Sequence, residues 1–186
     1  MLTKREKIIR AAIASFCEKG FQQTSTATIS KAAGVATGTL FLYFKSKDDL
    51  INIIYKEAKM EMMTSLQDNF PKEQNTQVIV KHIWTKAIEW AMGNRKTFQF
   101  IHMCKTSPMI TDETKQELAH LTHFGDQLLK RAFTKKELII MDTEMFYMLL
   151  DGMWTSTIDY LMANPGKNTK KTVTQTFDIF WKGVSR

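Results

Sequence analysis

GFQQTSTATISKAAGVATGTLFLYFKSKDDL, residues 20–50, is the stretch that decides the fold. Thr24, Ser25 and Thr26 cluster just ahead of the apolar-periodic run Ile29, Ala32, Ala33, a helix start with a hydroxyl cap at hand. Gly34 ends that helix after about two turns, because glycine enters the left-handed region without Cβ strain. Val35 and Ala36 make a tight corner. A second short helix near 37–44 carries Leu40, Phe41, Tyr43 and Phe44. Ser46 followed by Asp49 has capping-box spacing, and it opens a long helix over about 47–69. Two short helices around a glycine-containing turn, with a helix before them, form a helix-turn-helix. Small Ala32 and Ala33 let the helices cross closely, and Val35 and Leu40 fill the wedge between them.

Working outward, residues 4–19 read as a first helix, with Ile9, Ala12, Ile13 and Phe16 at helical spacing. Gly20 stops it, and Phe21 folds back onto its end. Further helices are expected over 76–92, 95–105, 111–133, 142–163 and 168–184, with breaks at Pro71, Gly93-Asn94, Pro108 and Asn164-Pro165-Gly166. The linker near 134–141 has no clear reading. No segment reads as a strand, so the chain is all-α.

Composition agrees. The chain has 186 residues, enough for one domain or a small module fused to a larger one. Hydrophobic residues are 44% and charged residues 24%, which excludes a disordered or collagen-like chain. Three Pro and 8 Gly are too few for the regular turns of a sandwich or barrel. No apolar run reaches membrane-helix length, and MLTKREKIIR lacks the unbroken apolar core of a signal peptide. Cys17 and Cys104 stand far apart without motif spacing, so no disulfide framework follows and a reducing cytoplasm is expected. Net charge is +7. Residues 1–50 hold 8 Lys/Arg against 4 Asp/Glu, whereas residues 137–186 hold 5 against 6. A basic first quarter suits nucleic acid, but the charge alone is weak evidence, because most lysine-rich faces are simply solvated.

The residues of the opening stretch, with Phe16, Gly20-Phe21, Thr24, Ile29, Ala33-Gly34-Val35, Gly38-Thr39-Leu40, Tyr43-Phe44 and Ser46-Lys47, resemble the DNA-binding domain of the TetR family of bacterial transcriptional regulators. The resemblance runs over residues 5–50 without a gap. It implies a helix-turn-helix DNA-binding domain over 1–47 and a helical effector-binding and dimerisation domain over 48–186. It implies that Thr26 bonds a phosphate and that Thr37, Gly38 and Thr39 meet the major groove. Phe41, Leu42 and Tyr43 would line the DNA-facing side, with the Tyr43 hydroxyl and Lys47 on phosphates. Leu40 and Phe44 belong to the core.

Three departures matter. Phe41 stands where the family usually has tyrosine, so one phosphate hydroxyl is lost. Ala36 stands where serine is frequent, which weakens a helix cap. No Arg, Lys, Gln or Asn precedes Lys45 in the third helix, so readout leans on Thr hydroxyls, methyl contacts and DNA shape.

The resemblance further implies a homodimer on a pseudo-palindromic operator, most simply a repressor released by a small molecule. The last two helices would form the interface through Met145, Leu149, Met153, Phe177, Phe180 and Trp181, although 173, 177, 180 and 184 also suit an intramolecular core face. A small apolar or aromatic effector would lie among Trp84, Phe98, His102, Phe124 and Trp154. Met and aromatic residues at helical spacing are also what a plain core uses. No cofactor, metal or catalytic residue is expected. His120 and His123, with Glu117 and Asp126 near, have spacing a metal ion would accept, but a surface pair is the default. Cys104 near His102 reads as packing. The alternative is a helical cytosolic partner-binding or metal-binding protein with a degenerate DNA face.

Overall fold

The computed structural model describes residues 2–72, 75–167 and 169–186. The described elements are α1 (Lys4–Gln23), α2 (Thr26–Ala33), α3 (Thr37–Tyr43), α4 (Lys47–Ser65), α5 (Thr76–Gly93), α6 (Arg95–Lys105), α7 (Asp112–Leu118), α8 (His123–Thr134), α9 (Thr143–Ala163) and α10 (Thr169–Val184), with a 3-10 turn over Ala119–Thr122. The fold is all-α, as the sequence implies. Among the described residues the sole β pairing is an isolated antiparallel bridge between Leu138 and Ser185.

The chain packs as two compact units: Met1–Glu61 with Asn94–Ala119, and Met62–Gly93 with His120–Arg186. In the first, Ile8, Ala12, Phe16, Ile29, Leu40, Phe44, Leu50, Ile51, Ile54, Phe100 and Cys104 are buried in one cluster. Phe21 does fold back: its ring centroid lies 5.2 Å from Phe16 and 5.9 Å from Phe100. The stop at Gly20 is a kink with φ 77, after which one more helical turn runs to Gln23. The second unit is centred on Trp84. Phe180 stacks on it at 5.2 Å, Phe177 meets it edge-on at 6.0 Å, and Phe146 packs on Phe180 at 5.7 Å.

One expectation changes, and one open stretch takes shape. The single helix expected over 111–133 is α7, a 3-10 turn and α8. The Ala119 N–H donates to the Gln116 carbonyl, three residues back, and tightens the helix end. His, Thr and Gly between 120 and 125 are weak helix formers that do not restore the α pattern at once. The unreadable linker turns at Lys136, φ 57. It then buries Leu138 and lays the Ile139 N–H on the Val184 carbonyl at 2.8 Å.

Candidate nucleic-acid interface

The turn is built by a division of labour among hydroxyls. Ser25 caps α2: its Oγ accepts the Thr28 N–H at 3.1 Å. Thr24 is fully buried, and its Oγ1 donates to the Gly20 carbonyl at 2.7 Å and the Ser15 carbonyl at 3.2 Å, locking the end of α1. Thr26, half-buried at the first turn of α2, is needed for neither task. At the other end Gly34 takes φ 66. Its N–H donates to the Lys31 carbonyl, and the Val35 N–H to the Ser30 carbonyl at 3.0 Å. That pair of bonds is a Schellman closure, and it turns the chain sharply into α3.

In α3, Leu40 and the following Phe44 face the core and are buried. The opposite face is open. Thr37 and Gly38 are exposed, Thr39 is half-buried, and Phe41, Leu42 and Tyr43 remain 48%, 82% and 43% exposed. No side chain caps the helix at Ala36. A Cβ at Gly38 would meet nothing within 4 Å, so packing inside the chain does not require glycine there.

The base of the helix-turn-helix is held by α4. The Asp49 N–H donates to Ser46 Oγ at 3.0 Å, as the capping spacing implies. The Asp49 carboxylate accepts the Lys45 N–H at 2.7 Å, one residue earlier than a standard box. Lys47 is half-buried, and its Nζ donates to the Phe21 carbonyl at 2.9 Å, which ties α4 to the end of α1. An ammonium has three donors, so this bond leaves Lys47 able to meet a phosphate as well. Arg5 pairs with Glu57, and that hydrogen bond raises the guanidinium pKa further. Its charge therefore serves the α1–α4 contact.

One residue the sequence reading missed is Asn52. Its Nδ2 donates to the Asp48 carbonyl at 2.8 Å and the Met109 carbonyl at 2.9 Å, while Oδ1 accepts the Thr111 N–H at 3.0 Å. The available signal was a polar residue inside an apolar stripe, followed far downstream by a threonine of capping type before Asp112.

Elsewhere the expected groups separate. Phe177 and Phe180, expected at a subunit interface, are 1% and 2% exposed. This is a correction: both are spent on the Trp84 core and have no surface left for a partner. Trp181 is half-buried and stacks on Phe177 at 6.1 Å. Met145 and Leu149 are exposed on α9, with Met148 and Tyr160, and Met153 is half-buried. An open groove of about 620 Å³ runs along Tyr160 of α9 and Thr172, Thr176, Asp178 and Ile179 of α10. None of the five residues expected around an effector lines it. Of those five, Phe98 and His102 fall in the first unit, where their rings stack at 6.4 Å. Trp84, Phe124 and Trp154 fall in the second. There the two indoles lie 6.2 Å apart, while Phe124 packs on Phe70 at 5.4 Å.

The catalytic and metal readings gain no support. Burial pushes both thiols up, Cys104 to about 12, which is the wrong direction for a nucleophile. His120 sits on the 3-10 turn and His123 opens α8, where it bonds Gln127 at 2.9 Å. Among the described residues, no three His, Cys, Asp or Glu side chains gather as a metal site.

Residues 8–54 match the family model described as bacterial regulatory proteins, tetR family. The fatty acid metabolism regulator protein of Bacillus subtilis is 37% identical over 90 residues, 44% of this chain and 46% of that protein. The nucleoid occlusion factor SlmA of Glaesserella parasuis is 34% identical over 118 residues, 63% of this chain and 50% of that protein. The matched stretches thus span about half the length of these curated relatives. A solved structure from Shewanella sp. PV-4, assigned to the tetR family of transcription regulators, superposes with a TM-score of 0.88. It shares 27% identity over 100% of both chains.

Proposed function

Because this chain belongs to the tetR family of bacterial regulatory proteins, we propose that it represses transcription as a homodimer on a pseudo-palindromic operator and leaves it when a small effector binds. The observation that carries the DNA contact is the split of α3. Leu40 and Phe44 are consumed by the core, while Thr37, Gly38, Phe41 and Leu42 face solvent on a helix that the Gly34 turn holds outward. Thr39 borders this face, and Thr26, Tyr43 and Lys47 flank it as phosphate partners. A single short helix reads only a few base pairs, so two copies a helical turn of DNA apart are needed for a specific site.

The dimer face follows from what α9 and α10 leave uncovered. Met145, Met148, Leu149 and Tyr160 on α9 and Ile179 on α10 form the exposed apolar set. Gly152 among them has open space about it. In this reading residues 1–47 read DNA, and 48–186 bind effector and pair the subunits.

For the effector, the second unit offers Trp84 and Trp154, whose buried indole N–H groups have no hydrogen-bond partner among the described residues. An apolar molecule with a hydrogen-bond acceptor, such as an acyl chain ending in a carboxyl or ester, suits two indoles, with Phe124 in the same unit. The fatty acid metabolism regulator among the relatives supports that class. The purified protein should enrich a palindromic site from fragments of its host genome, and the site should survive a rise in salt. Diffuse, salt-sensitive enrichment alone would refute the repressor reading.

A further inference from the structure

The geometry points to a reader that recognises thymine by its 5-methyl group, with Leu42 and Phe41 as the specificity-determining side chains. This inference rests on the DNA-reading role proposed above. Guanine is singled out by Arg or Lys, adenine by Asn or Gln, and cytosine by Asp or Glu, whereas Thr hydroxyls bond base edges without singling one out. From Thr37 to Tyr43 the helix has none of these; its polar groups are the hydroxyls of Thr37, Thr39 and Tyr43. The one apolar feature in the major groove is the thymine methyl. Gly38, Phe41 and Leu42 stand at i, i+3 and i+4, so they share one face. Leu42, at 82%, is the most exposed large apolar side chain among the described residues, and no part of the core uses it. Gly38, one turn ahead, has open space where a Cβ would stand. A glycine inside a helix is costly, and here it clears the backbone for close approach just where the two apolar side chains follow.

The test uses the full-length protein and a site selected from random duplexes. The site is remade with deoxyuridine for thymidine, which keeps every base pair and removes only the methyl groups. Affinity should fall about fourfold per buried methyl, or about fifteenfold over two half-sites. The salt slope should stay fixed, because no phosphate contact changes. Leu42→Ala should unfold at the wild-type temperature, since the residue lies outside the core. It should lose most of the distinction between the two duplexes. Deoxyuridine placed outside the half-sites should have no effect. Equal affinity for both duplexes, or a Leu42→Ala protein that still discriminates fully, would overturn the inference. If no site emerges and the same face instead captures a protein, the DNA-reading role falls with it.

Discussion

Asn52 joins the first turn of α4 to the corner before α7, with its carbonyl oxygen 3.0 Å from the Thr111 N–H and its amide 2.9 Å from the Met109 carbonyl. The residue is buried, so each lost bond strands a backbone group away from water. Asn52→Ala should lower stability by about 2 kcal/mol in a urea titration. Asn52→Asp should fare no better, because its carboxylate would face the Asp48 and Met109 carbonyls. A wild-type midpoint for either variant would show that this corner does not depend on the side chain.

Gly125 and Tyr147 make a sterically coupled pair. A Cβ on Gly125 would stand 2.5 Å from the Tyr147 hydroxyl, which donates to Asp126 Oδ1 at 2.9 Å. Gly125→Ala alone should destabilise by about 1 kcal/mol, as the ring shifts and the bond to Asp126 breaks. In the Tyr147→Phe background the same change should stabilise by a similar amount, since alanine is the better helix former. A thermal-melt double-mutant cycle reads the change of sign, and additivity would disprove the coupling.

On DNA, Tyr43→Phe and Lys47→Ala should weaken binding to all sequences, and Lys47→Ala should reduce the salt slope by about 1. Thr39→Ala should weaken the selected site more than unrelated DNA. Titrations at two salt concentrations separate the two patterns. Equal losses on both kinds of DNA would remove Thr39 from the base-reading set.

The split of the C-terminal helices gives opposite phenotypes. Leu149→Glu should yield a folded monomer in sedimentation, because the residue is exposed on the face assigned to the partner. Phe177→Ala should instead cost about 3–5 kcal/mol of folding stability, as it empties space against Trp84. A Leu149→Glu protein that stays dimeric would move the interface elsewhere.

Stability should fall at high pH. Burial favours the neutral Cys104 thiol and moves its titration to about 12, and burial raises Cys17 in the same direction. An unfolded thiol ionises near pH 8.5. Above that pH the unfolded state binds fewer protons than the folded one, so unfolding becomes easier as pH rises towards 12. Below it the contribution is fully present. Urea midpoints at pH 7 and pH 10 should differ more for wild type than for Cys104→Ala.

The N-terminal quarter was legible because its information is local. Gly34, the Ser25 hydroxyl and the Leu40–Phe44 spacing each act within a few residues, and each took the place its chemistry implies. Phe177 and Phe180 were misread because an apolar stripe says that a face is buried and not by what. Only the arrival of Trp84, from a helix far away in sequence, decides that. Asn52 was missed for the same reason, since its partners lie 57 and 59 residues downstream. Residues 94–119 share a compact unit with the reader, and no local periodicity marks that grouping.

The exposure of Leu42 and Phe41 also carries a thermal consequence. Apolar surface sealed against DNA lowers the heat capacity of the complex, and near room temperature such contacts strengthen on warming. Calorimetry on the selected site should show a negative heat-capacity change that shrinks in Leu42→Ala. Of the contacts to the operator, this apolar patch would then be the one that loosens as the cell cools.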